Sequence, residues 1–132
     1  MKIFNIGDTF SKSMHISKHM IVSYAELSGD YNPIHIDEDY AKQTLFKKCI
    51  AHGGITVNFI SNVLGNDFPG HGSIFLEQDI KYVAPVYEGD EITAYISVKD
   101  INCKKGRILL DTIVKNQDNA VVVSGTAYML LL

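Results

Sequence analysis

The sequence predicts an α+β fold, a single domain in which a curled antiparallel sheet wraps around one central apolar helix. Three observations carry that expectation. Residues 17 to 65 have the spacing of helices and loops, whereas residues 72 to 131 alternate as strands do. The most apolar stretch, Ile55 to Leu64, places Ile55, Phe59, Ile60, Val63 and Leu64 around most of a helix, so burial is expected there. Short turn-forming runs separate the strands, which makes neighbouring strands antiparallel.

Each element has a local reason. Thr9 to Ile16 is a candidate additional strand. Ser17 is placed to cap a helix whose Met20, Ile21, Tyr24, Ala25 and Leu27 follow helical spacing, and Gly29 is its stop. Asp30-Tyr31-Asn32-Pro33 cannot continue that helix, because Pro33 drives Asn32 toward an extended conformation. Asp37 then caps a short helix, Glu38 to Gln43. Gly53-Gly54 opens the apolar helix and Gly65 closes it. Further on, Ile92, Ala94, Ile96 and Val98 face one way and Thr93, Tyr95, Ser97 and Lys99 the other. Ile74 to Val83, Arg107 to Lys115 and Ala120 to Leu131 are the remaining strands. Their boundaries are Glu88-Gly89-Asp90, Lys104-Lys105-Gly106 and Asn116-Gln117-Asp118-Asn119.

Composition narrows the function classes. A chain of 132 residues suits one domain that buries roughly two-thirds of its unfolded surface. It is 46% hydrophobic and 20% charged, as soluble globular proteins are. The net charge is -3 and no basic run exceeds Lys47-Lys48 or Lys104-Lys105, so nucleic acid and membrane surfaces are not expected partners. Cys49 and Cys103 match no metal or redox spacing and are expected to be free thiols. Polar residues interrupt Met1 to Asp8 too early for a signal peptide, and no apolar stretch reaches the ~18 residues a bilayer requires. Cytoplasm is the expected location.

Two segments concentrate groups that can do chemistry. Asp30 and His35 lie across a proline turn, where a loop can aim both side chains into one pocket and hold a water for acid–base work. The same residues also suit an ordinary Asx–Pro turn with a hydrogen-bonded histidine. The second segment is Ile50-Ala51-His52-Gly53-Gly54. Helix-opening amides carry partial positive charge, and glycine leaves them open to a carbonyl oxygen that gains charge. It is equally the start of any helix, and His52 can bond backbone instead of substrate. On that helix Ser61 and Asn58 lie amid apolar neighbours, where a buried serine can bond the carbonyl four residues back. There is no phosphate loop, dinucleotide fingerprint or Gly-x-Ser-x-Gly elbow, and the one zinc-type histidine spacing, His15 and His19, lacks nearby third ligands, so no metal or cofactor is expected.

Taken together, Ser28-Gly29-Asp30-Tyr31-Asn32-Pro33-Ile34-His35-Ile36-Asp37 and Ile50-Ala51-His52-Gly53 resemble the signature of the MaoC-like, (R)-specific enoyl-CoA hydratases. The likeness continues through Leu64-Gly65, Pro69 to Ile74 and Pro85 to Ile92, and so covers nearly the whole chain. It implies a hot-dog fold and a homodimer whose sheets join edge to edge, with active sites near the subunit interface. It also implies hydration of a trans-2-enoyl-CoA to the (R)-3-hydroxyacyl-CoA, reversibly and on short acyl chains, the CoA thioester being substrate and not cofactor. By the same resemblance Asp30 and His35 are the catalytic pair and the Gly53 amide meets the thioester carbonyl. Ser61 helps to fix the aspartate or histidine, Asn32 braces the loop and His52 supports the site. Alternatives within the fold are a 3-hydroxyacyl-[acyl carrier protein] dehydratase, an acyl-CoA thioesterase and a non-catalytic acyl-thioester binder. The chain departs from the pattern twice. Gly54 stands where many relatives have a large apolar residue, and Ala84 replaces a basic one, leaving no charge there for a CoA phosphate.

Overall fold

The computed structural model describes residues 2–132, in the order β1 (Thr9–His15), α1 (Lys18–Ser28), α2 (Pro33–Ile36), α3 (Glu38–Lys42), α4 (Gly53–Asn66), β2 (Ser73–Tyr82), β3 (Glu91–Asn102), β4 (Arg107–Lys115) and β5 (Val121–Leu131). Met1 lies outside the described residues. The five strands form one sheet in the order β1-β3-β4-β5-β2, with every neighbouring pair antiparallel. β1 and β2 are therefore its edges.

Period-two patterning fixes which side of the sheet faces inward. Ile92, Ala94, Ile96 and Val98 are all buried, as are Ile108, Leu110, Thr112 and Val114 on β4. The apolar residues among these form a core with Phe59, Ile60, Val63 and Leu64 of α4. The caps follow the local chemistry. The Ser17 side chain accepts from the Met20 amide, and Gly29 ends α1 in the left-handed region at φ 76°, where a Cβ would be strained. Asp37 accepts from the Tyr40 amide at the start of α3.

The structure departs from the expectations at four places. Pro33 opens a one-turn helix, α2, where a loop was expected; proline is favoured at a first helical position, and Asn32 caps the turn. Leu27 is 84% exposed, because it lies about 200° around the helix from Ala25, on the solvent side. Gly65 does not end the central helix. That helix runs on to Asn66 and stops at Asp67, where the amides of Asp67 and Phe68 both donate to the Val63 carbonyl. Finally, the sheet does not cover α4 on all sides: Asn58, Ser61, Asn62, Gly65 and Asn66 are exposed along one face.

Candidate active site

The site is assembled from three short segments held together by backbone. The extended residues Ile50 and Ala51 lie between two neighbours: the Ile50 amide donates to the Ile34 carbonyl at 3.2 Å, and the Ala51 amide to the Val86 carbonyl at 2.7 Å. This pins the entry to α4 against α2. The Ile50 carbonyl then accepts from His35 Nδ1 at 2.8 Å. A carbonyl can only accept, so Nδ1 carries hydrogen, and in the neutral ring Nε2 is left as a free acceptor.

His52 performs the corresponding service for Asp30. It is buried, with 2% of its surface exposed, and its Nε2 donates to the Asp30 carbonyl at 2.9 Å. Its ring also stacks on that of His35, with centroids 3.9 Å apart and planes 26° apart. His52 therefore touches both members of the pair. The Asp30 side chain is exposed, and one carboxylate oxygen accepts from the Asn32 amide at 3.1 Å. Asn32 in turn accepts from the Ile34 amide and caps α2. One donor atom from each of Asp30, His35 and His52 lies within 4.8 Å of the others. Such a trio can hold a water between acid and base, and its atoms are also of the kind that ligate a metal ion.

His35 and Gly53 line the same cavity, of about 520 Å³, together with Phe46, Tyr82, Ala84 and Val123. α4 opens without a side-chain cap; the Ile55 amide donates to the His52 carbonyl, which leaves the amides of Gly53 and Gly54 to face a ligand. Glycine at 53 and 54 has a steric reason. A Cβ on Gly53 would come within 2.5 Å of the Tyr82 ring, and one on Gly54 would overlap the Tyr24 hydroxyl. Ala84 sits in the cavity wall, so a basic side chain at that position would point at the site's surroundings, and this chain has none.

Ser61 is not brought to this centre. It lies on the exposed face of α4 and does not line the cavity, so the expectation of a buried serine is corrected. With 3.6 residues per turn, Ser61 follows Gly53 by more than two turns, about 12 Å along the axis. Two residues of the site carried no sequence signal of their own. Tyr82 and Tyr24 read as ordinary strand and helix residues; the paired glycines at 53 and 54 were the sign that bulky groups approach the helix start.

A MaoC-like domain model matches residues 5–120. The chain belongs to the MaoC-like family. It is 39% identical over 125 residues to the (R)-specific enoyl-CoA hydratase of Rhodospirillum rubrum, covering 95% of this chain and 86% of that protein. The solved structure of an (R)-hydratase from A. caviae involved in PHA biosynthesis superposes with a TM-score of 0.95 at 32% identity, covering all of both chains. A more distant relative, the mitochondrial 3-hydroxyacyl-[acyl-carrier-protein] dehydratase of Arabidopsis thaliana, is 27% identical across 98% of this chain and 78% of that protein. The fold is thus the hot-dog fold, and the chain is a hydro-lyase of this MaoC-like family.

Proposed function

We propose that this protein hydrates trans-2-enoyl-CoA to (R)-3-hydroxyacyl-CoA, reversibly, with short acyl chains as its substrates. The observation that carries the proposal is convergence: the Asp30 carboxylate and His35 imidazole meet within water-holding distance, and His35 shares a cavity with the Gly53 amide. In this scheme water attacks the β-carbon and negative charge moves to the thioester oxygen. The Gly53 N–H at the start of α4 stabilises that oxygen, a contribution of about 10²–10³ in rate for one such donor. Asp30, ionised, takes the water proton. His35, whose Nε2 is free to accept, holds the same water in place for attack, and the proton taken by Asp30 is then passed to the α-carbon, which leaves both groups as they began. Water and proton arrive from one face, so addition is syn.

The named relatives support CoA as the acyl carrier first and acyl carrier protein second. No strong basic patch favours an acidic carrier protein. The chain acts in the cytoplasm as a homodimer, with β2 as the joining edge. This strand offers an unpaired backbone row and exposes Ile74 and Leu76.

The test is a spectrophotometric assay of enoyl-CoAs of graded length, with chiral analysis of the product and a parallel measurement of thiol release. Loss of the enoyl absorbance with (R)-product and no free thiol is expected, fastest on short chains. Free CoA without hydroxyacyl product would replace hydration with thioester hydrolysis.

A further inference from the structure

Gly54 and Tyr24 occupy one space. A Cβ at position 54 would overlap Tyr24 Oη and lie 2.5 Å from Tyr24 Cζ, so the tyrosine can occupy its place only because residue 54 has no side chain. The Tyr24 ring is tilted against His52, with centroids 4.8 Å apart and planes at 53°. His52 in turn stacks on His35 and donates to the Asp30 carbonyl. Its Nδ1 is buried without a hydrogen-bond partner among the described residues. With Nε2 as its one hydrogen bond among the described residues, the orientation of the buried ring also depends on the aromatic rings packed against it.

We propose that Tyr24 is a positioning residue for the catalytic pair: its ring, admitted by Gly54, presses His52 against His35. The inference rests on the function proposed above for this site. Tyr24 does not line the cavity that His35 and Gly53 share, so its action is through His52 and not on substrate. Adding a Cβ at 54 forces the tyrosine out and releases His52, which frees both the His35 ring and the Asp30 carbonyl. A displacement of about 1 Å at reacting groups can cost on the order of a hundredfold in rate.

The test compares Gly54→Ala, Tyr24→Leu and the double variant Gly54→Ala/Tyr24→Phe in crotonyl-CoA hydration. In parallel, the histidine ring nitrogens are followed by 15N NMR of the full chain. Gly54→Ala and Tyr24→Leu are expected to lower kcat about ten- to a hundredfold with KM nearly unchanged. The double variant loses the overlap with the hydroxyl and keeps only the 2.5 Å approach to ring Cζ, which a small tilt of the ring relieves, so it is expected to recover part of the loss in Gly54→Ala. The His35 and His52 ring signals should shift in both single variants, whereas those of exposed His15, His19 and His71 stay put. Should Tyr24→Leu fail to fold, Gly54→Ala and its double variant decide the question. Unchanged kcat and unchanged His35 signals in Gly54→Ala overturn the proposal. If the wild-type chain hydrates no enoyl-CoA, the function proposed above fails, and the ring signals alone judge Tyr24.

Discussion

At the scale of single residues, the site depends on how each polar group is already engaged. His35 is committed through Nδ1 to the Ile50 carbonyl, and Asp30 through one oxygen to the Asn32 amide, so each keeps one free acceptor for a shared water. Asp30→Asn removes the base while keeping the Asx turn, and His35→Ala removes the group that holds the water. Each is expected to lower kcat by about 10²–10⁴ in the enoyl-CoA assay, with the melting temperature nearly unchanged. The two thiols differ in a way that a chemical probe can read. Burial pushes the half-buried Cys49 thiol up, and the neighbouring Glu38 and Asp37 carboxylates add to the shift. A raised pKa leaves less thiolate at neutral pH, so alkylation at pH 7 should modify the exposed Cys103 first. Cys49 should catch up only as the pH rises, a course that peptide mapping by mass spectrometry can follow.

At the scale of elements, the active-site cavity needs β2 as its wall, because Tyr82 at the end of that strand packs over Gly53. What holds β2 in place is its pairing with β5, where Ile80 stands opposite Gly125. A Cβ on Gly125 would overlap the Asp79 carbonyl, a backbone atom that cannot swing aside. Gly125→Ala is therefore expected to cost about 1–3 kcal/mol by forcing β2 away from β5. Urea denaturation should show the lower midpoint, and hydration should fall in proportion as Tyr82 leaves the helix start. A variant with wild-type stability would show that the two strands part without cost. The same reasoning explains α2. A proline that looks like a helix breaker in sequence starts a turn here, and that turn is what aims His35 at the Ile50 carbonyl.

At the scale of the whole molecule, one face of α4 is uncovered and the two edge strands of the sheet, β1 and β2, each have one unpaired side. A central helix whose Asn58, Ser61 and Asn62 face outward, beside an edge strand exposing Ile74 and Leu76, is what association between two copies would cover. Sedimentation at micromolar concentration is expected to give a particle of two chains, and replacing Ile74 and Leu76 by aspartate should shift it toward one. A wild-type chain that sediments alone would refute the dimer. Ser61 belongs to this scale and not to the residue scale. The resemblance suggested a serine beside the catalytic pair, but in the single chain its side chain faces outward, away from the cavity.

Local chemistry, written in the chain itself, determined the period-two strands, the capping of α1 and α3 and the apolar identity of α4. Those features depend on residues within a few positions of one another, and so the sequence by itself carried them. The tertiary structure alone decided that Asp30 and His35 meet at His52, that α4 runs through Gly65, that Ser61 faces outward, and that Tyr24 and Tyr82 close on the two glycines. Each of these depends on which distant backbone comes within a few ångströms, and no local spacing encodes that distance.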